Sequence, residues 1–379
     1  MAKKKLLFFS IFIIIILVFV LTIYNIIYKN NNIYLNNKDE APNFISIILE
    51  ETASSGEYKV SKSNKWPSKG YVFNKEMSYC NNGSTLTWNE NDNSVSVNIN
   101  KTDKCYVYFD MYVPTLVEYV KSQYTGTQGE NGLYYHDSTL ANGAGDNSYR
   151  YAGASDSVNN YICLGSDTTT CPDANLFRII GVFGDKTKVI RAKSVGNQKW
   201  HTSESNTWSS SSLNAYLNGT YLTSLGTIAE KIATTTWKVG GCSWSNIETS
   251  VPKIVYKNEV GSSASTTTVD KKIGLMYISD YYYSASPSAW TLVGYNKSDA
   301  TKDYSAAKTI NWLYLGSKEW TISRVSDETF SAFIVDGSGH VFSYNVNFSN
   351  FAVRPSFNLD STVTYVSGDG TKSNPIRIN

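Results

Sequence analysis

Two pairs of cysteines set close together in the chain constrain this sequence more than any other feature. Cys80 and Cys105 flank a strand-turn-strand pattern (CNNGSTLTWNENDNSVSVNINKTDKC), and Cys163 and Cys171 close a short polar loop (CLGSDTTTC). Bridged, the pairs would restrict the denatured chain by about 3.5 and about 2.6 kcal/mol on a chain-entropy estimate. Free, buried thiols are the alternative. The fifth cysteine, Cys242 in GGCSW, has no sequence neighbour of its kind. Without CxxC spacing or nearby His, the five form no zinc pattern, so neither a metal nor a cofactor is expected. Bridges of this kind belong to oxidising compartments, which points to export.

The N-terminus points the same way. Lys3, Lys4 and Lys5 precede Leu6–Tyr28, an almost wholly apolar run with no charge until Lys29. At ~1.5 Å per residue such a run reaches about 34 Å, enough to cross a hydrocarbon core of ~30 Å. The expected arrangement is a cytoplasmic tail (1–5), a transmembrane signal anchor (6–28) and the remainder outside, giving a single-pass cell-membrane protein. A cleaved signal peptide is the rival reading, but signal h-regions are shorter and end at small residues. A pilin-type helix would need a small-residue cleavage site and an early Glu, both missing.

Composition excludes some functions. The 379 residues carry 34 Lys plus Arg against 32 Asp plus Glu, so the chain lacks the basic footprint of a nucleic-acid binder. Only 3 His are present, which leaves little for His-based metal or acid–base chemistry. Charged residues amount to 17% while Tyr reaches 28 and Trp 9, so rings and amides must do what ion pairs do elsewhere.

Beyond the anchor, residues 29–65 read as a polar stem in which only Phe44–Leu49 is apolar, a strand or a docked turn. Residues 66–112 read as a small β domain, with strand-like runs at Tyr71–Phe73, Thr85–Trp88, Val95–Ile99 and Cys105–Phe109. Residues 113–132 give a connecting helix over 114–124, opened by Pro114, and a glycine-rich linker. A large domain follows at 133–379. Its most apolar strand, Leu176–Phe183, turns back through Gly184–Thr187 into Lys188–Val195 as a hairpin. Ser209–Ser212 cap a short helix through Leu213, Tyr216 and Leu217, and a second helix is expected across Thr227–Thr236. Ile273–Ile278, Phe330–Val335, Val341–Val346 and Val363–Val366 read as strands.

The segment from Trp312-Leu313 through Asp336-Gly337 to Val353-Arg354-Pro355-Ser356-Phe357-Asn358-Leu359 resembles the closing part of uncharacterised bacterial surface modules. LFRIIGVF with TWSSSSLNAYLNGTY resembles their opening strand and serine-capped helix. These modules look like members of the C-type-lectin-like superfamily that includes the formylglycine-generating-enzyme fold. The resemblance, over roughly 145–379, implies an α+β fold whose terminal strands pair while long loops build a face. It does not bring the family's chemistry with it. The calcium-lectin motifs E-P-N and Q-P-D are missing, and no cysteine follows Cys242.

Candidate chemistry is sparse. Arg354 has a structural reading, five donors tying loops or an acid together, and Asp336-Gly337 reads as a hairpin turn. Cys242 with His201 or His340 as base is the nucleophile candidate. Carboxylates such as Asp270, Asp280, Glu319 and Asp327 are too scattered to nominate a pair, and no catalytic residue is assigned. Aromatic clusters give the better lead: Tyr281, Tyr282, Tyr283, Trp290, Trp320 and Tyr344 are the expected ligand-binding residues. The expectation is therefore an extracellular binding or adhesion protein whose ligand is a glycan, a wall polymer or a surface protein. An extracellular enzyme and a structural envelope component are the alternatives.

Overall fold

The computed structural model describes residues 44–379 apart from 63–65, 68–69, 90–93, 99–101, 296–297, 300–301 and 349. It divides into two compact units, one ending at Val113 and one beginning at Pro114. In the first, β1 (Phe44–Glu50), β2 (Tyr58–Val60), β3 (Tyr71–Cys80) and β6 (Lys104–Met111) form a sheet in the order β2-β1-β6-β3, and β4 (Thr85–Asn89) pairs with β5 (Ser94–Asn98). Ile47, Trp66, Val95, Val107 and Phe109 make its core. The stretch expected to be a stem supplies two strands, and the apolar run FISIILE makes the first: Ile47 is core, with Ile45 and Leu49 packed beside it. Cys80 and Cys105 are paired in register across β3 and β6 and bonded to each other.

The larger unit begins with α1 (Leu116–Ser122), which carries a reciprocal cap. The Glu118 amide donates to Thr115 Oγ1 at 3.2 Å and the Thr115 amide to Glu118 Oε2 at 2.8 Å. Leu116, Val117 and Val120 enter the main core, so this helix belongs to the unit rather than to a connector. The strands that follow are β7 (Leu133–His136), β8 (Ser148–Tyr151), β9 (Tyr161–Cys163), β10 (Leu176–Phe183) and β11 (Lys186–Arg191). After β12 (Asn197–Gln198) comes α2 (Ser212–Tyr216), capped by Ser211 Oγ, which accepts from the Asn214 amide. Next are β13 (Thr235–Lys238), α3 (Pro252–Glu259), β14 (Thr268–Lys271), β15 (Ile273–Gly274) and α4 (Ile278–Tyr283). The chain ends with β16 (Glu319–Arg324), β17 (Ser331–Val335), β18 (Val341–Asn345), β19 (Phe351–Ala352), β20 (Ser356–Leu359), β21 (Tyr365–Ser367) and β22 (Ile376–Ile378).

Nine of these strands share one sheet, ordered β15-β20-β11-β10-β9-β22-β21, with β7 and β8 joined through the β8–β10 pair. A second sheet runs β12-β19-β16-β17-β18, and β13 pairs with β14. Cys163 and Cys171 are bonded, so both expected disulfides form.

The α+β expectation with a C-type-lectin-like domain and a transmembrane helix gives way here. The large unit is a mixed, sheet-rich domain with few helices, and the longest α-helix among the described residues, α3, has 8 residues. β-Branched residues are part of the reason. Thr227–Thr236, expected as a helix, is a 3₁₀ turn over Gly226–Glu230 followed by β13, where Thr235, Thr236 and Trp237 fit a pleated surface better. Among the described residues no helix is long and apolar enough to cross a membrane, and the Leu6–Tyr28 run lies outside them.

Candidate functional site

The rings expected to face a ligand are instead core. Tyr281, Tyr282, Tyr283, Trp290 and Trp320 are each at most 1% exposed. All but Tyr282 turn their polar tips to backbone: Tyr281 donates to the Gly339 carbonyl, Tyr283 to Asn142, Trp290 to Ala285 and Trp320 to Gln198. The physical reason is that α4 is buried along its whole length, so consecutive tyrosines fill three sides of one helix. Tyr344 is half-buried, beside Phe351 and under the Lys318 ammonium.

Other sequence candidates are structural as well. Arg354 is buried against Glu319 and the Leu313 carbonyl. Asp336 Oδ1 accepts from the Ser338 and His340 amides and from Ser338 Oγ, which fastens the β17–β18 turn at Gly337. His340 lies between Asp303 (2.5 Å from Nε2) and Ser338 (2.8 Å from Nδ1), a Ser–His–Asp order. The Ser338 hydroxyl is shared with Asp336, so the cluster works as a clasp on the turn. Cys242 is buried, and burial pushes its thiol well above the usual range, which suppresses the thiolate a nucleophile needs. Among the described residues, Cys80, Asp103 and Cys105 alone gather three metal-donor side chains, and the two sulfurs are already bonded to each other.

A different place carries unspent polarity. Register aligns Arg150 of β8 with Gly181 of β10, Gly181 with Lys188 of β11, and Lys188 with Asn358 of β20. Residues opposite one another in a sheet project from the same face, so two cations and an amide form one row with a glycine between the cations. A Cβ on Gly181 would run into the Tyr149 carbonyl, and β10 bulges between Ile179 and Gly181. Over this row lie α3, α4 and β13, enclosing a cavity of about 270 Å³. Phe183, Trp237, Tyr256 and Tyr277 wall it, and Arg150, Lys188, Asp280, Asp146 and Asn358 are its polar lining.

The charges are buried and paired. Lys188 Nζ donates to Asp280 Oδ2 at 2.5 Å, and the Tyr277 amide donates to the same oxygen at 2.8 Å, which seats the start of α4. Arg150 Nη2 donates to Asp146 Oδ2 at 2.6 Å and Nε to Ser148 Oγ at 2.7 Å. Rings surround both cations. Lys188 Nζ is 4.5 Å from the Tyr277 centroid and 5.3 Å from that of Trp237, and the Arg150 guanidinium is 4.7 Å from Phe183 and 5.2 Å from Tyr256. Burial, with Arg150 nearby and Asp280 only partly compensating, lowers the Lys188 pKa. Burial would raise Asp146, but the Arg150 charge and the Ser148 and Tyr256 hydroxyls outweigh it and hold the carboxyl at about 2. Behind α4, Glu259 is spent on the Ile278 and Ser279 amides and the Ser323 hydroxyl; burial raises its pKa, and those bonds offset part of the rise.

A larger cavity of about 590 Å³ opens beside the Cys163–Cys171 loop. Its one arginine, Arg377, is occupied by the carbonyls of Ser166, Thr168 and Thr169. Asp167 and Lys231 also line it, but it has no aromatic wall, whereas the smaller cavity sets buried charges against rings and is the candidate site.

Sequence reasoning missed this site. In the sequence Lys188 is part of a hairpin and Asp280 one of several scattered carboxylates. The available signal was a lysine in the interior of the most apolar hairpin, where a buried cation needs a partner. Residues 184–361 match the model of a family described as a domain of unknown function (DUF6273), a span that includes Lys188, Trp237, Tyr256, Tyr277, Asp280 and Asn358 and begins after Arg150. No curated protein and no solved structure matches the chain.

Proposed function

We propose that the large unit is a binding domain of an exported protein and that it takes a saccharide in the cavity above β8, β10, β11 and β20. The observation that carries this is a mixed set of free polar groups within aromatic walls. Lys188 spends one of three ammonium protons on protein, while Asp280 Oδ1 and Asn358 Oδ1 receive no hydrogen bond from the described residues. The Tyr277 hydroxyl accepts from the Lys238 amide and keeps its own proton for another acceptor. Sugar hydroxyls both donate and accept, and their C–H faces suit Trp and Tyr rings, so both halves of the lining are used. The volume of about 270 Å³ fits one ring-sized ligand, at the small end of ligand pockets. The two disulfides support an oxidising, extracytoplasmic location.

Glycan-array binding followed by titration of the purified protein tests the proposal. Saturable binding is expected, lost in Tyr256→Ala and Asp280→Asn variants that keep the native thermal transition. Binding that survives both substitutions would place the ligand elsewhere.

A further inference from the structure

Resting on that reading, we infer that the cavity selects a saccharide carrying a carboxylate, a uronic-acid-type sugar whose acid group sits between Arg150 Nη1 and Lys188 Nζ. Arg150 is 2% exposed, yet among the described residues its Nη1 has no acceptor; Nε and Nη2 hold Ser148 and Asp146. Lys188 is 5% exposed and has two ammonium protons without a protein acceptor. Both heads lie by the Phe183 ring, 4.7 and 5.7 Å from its centroid, and both residues line the same cavity. Both side chains line the cavity, so the N–H groups they keep are open to an acceptor that enters it.

The acids do not meet that demand. Asp146 is consumed by Arg150, the Ser148 amide and the Ser148 hydroxyl. Asp280 retains one oxygen free. Around the cavity three cations, Arg150, Lys188 and Lys238, face two carboxylates, Asp146 and Asp280. One negative charge on the ligand balances the lining and takes the free donors. The hydroxyls then use Asp280 Oδ1 and Asn358 Oδ1, and the ring lies against the half-buried Tyr256 and Tyr277.

The test is calorimetric titration of the purified protein with hexuronic acids of gluco, galacto and manno configuration, each beside its parent hexose and the hexose 6-phosphate. At least one uronic acid should bind about tenfold or more tightly than its hexose, as a charge-assisted pair requires. Its affinity should fall as salt rises, and Lys188→Met should erase the preference. Should Lys188→Met lose the native thermal transition, Lys238→Met and the salt titration decide in its place. A preference unmoved by both overturns the inference. Equal binding of acid and hexose overturns the carboxylate inference and leaves the saccharide pocket standing. Tighter binding of the phosphate replaces the carboxylate with a dianion. Binding of none of the probes removes the saccharide reading and this inference together.

Discussion

Arg354 and Glu319 form a pair whose removal has a calculable cost. Arg354 Nε meets Glu319 Oε1 at 2.6 Å and Nη2 meets Oε2 at 2.8 Å, with the side chains 3% and 1% exposed. Nη2 also donates to the Leu313 carbonyl at 2.5 Å. Arg354→Met leaves a carboxylate buried without a counter-charge, which should destabilise the large unit by about 3–5 kcal/mol. Replacing both residues with Met removes the desolvation penalty along with the attraction, and should recover most of that loss. Urea unfolding followed by tryptophan fluorescence measures both. Burial raises Glu319 above its ordinary 4.5, and Arg354 offsets part of the rise. Without Arg354 the folded-state value climbs further, so the native state holds a proton that the unfolded state releases. The stability of Arg354→Met should therefore increase as pH falls from 7 toward 5, whereas the double variant, lacking the carboxyl, shows no such trend. A single variant costing under about 1 kcal/mol, or a double variant as unstable as the sum of its singles, would refute the reasoning.

The Tyr282 hydroxyl is buried without a hydrogen-bond partner, and a Cβ on Gly294 would overlap it. Tyr282→Phe should thus stay within about 1 kcal/mol of the parent. Gly294→Ala should cost about 1–3 kcal/mol and be partly rescued by Tyr282→Phe, as thermal midpoints of the three variants would show. Removing the Cys163–Cys171 bridge by double alanine substitution should cost about 2.6 kcal/mol in denaturant titration, from a loop of sequence separation 8. Asp146 is held at about 2 against an ordinary 3.8, so its contribution is complete above 3.8 and is lost as pH falls through about 2. Asp146→Asn should flatten that acid limb of the thermal midpoint, and an unchanged limb would show that the Arg150 pair does not set it.

Features encoded locally were legible in the sequence. The β10–β11 hairpin, the Ser211 cap and the two disulfides each depend on residues a few positions, or one turn, apart. The ligand-side residues were not. Arg150, Gly181, Lys188 and Asn358 become neighbours through strand register, which no local window reports. Tyr281–Tyr283 misled for a related reason. A tyrosine-rich, charge-poor chain uses phenol rings as core filler, and a buried hydroxyl that finds a carbonyl looks the same in sequence as one awaiting a ligand.

Burial of charge alone does not distinguish a site from a brace, and this unit contains both. Around Arg354, the carboxylate oxygens of Glu319 and the Leu313 carbonyl take up the guanidinium on two of its nitrogens, and no described cavity opens on it. Taking an ion out of water costs several kcal/mol, and there the pairing returns it as a fixed connection between β16 and the start of β20. Around Lys188 and Arg150 the same cost is incurred, yet there the cations and their remaining protons border a retained cavity. Apolar side chains of similar volume would fill that hollow at lower free energy. Unspent donors beside a retained cavity therefore mark the place where the fold trades stability for a partner.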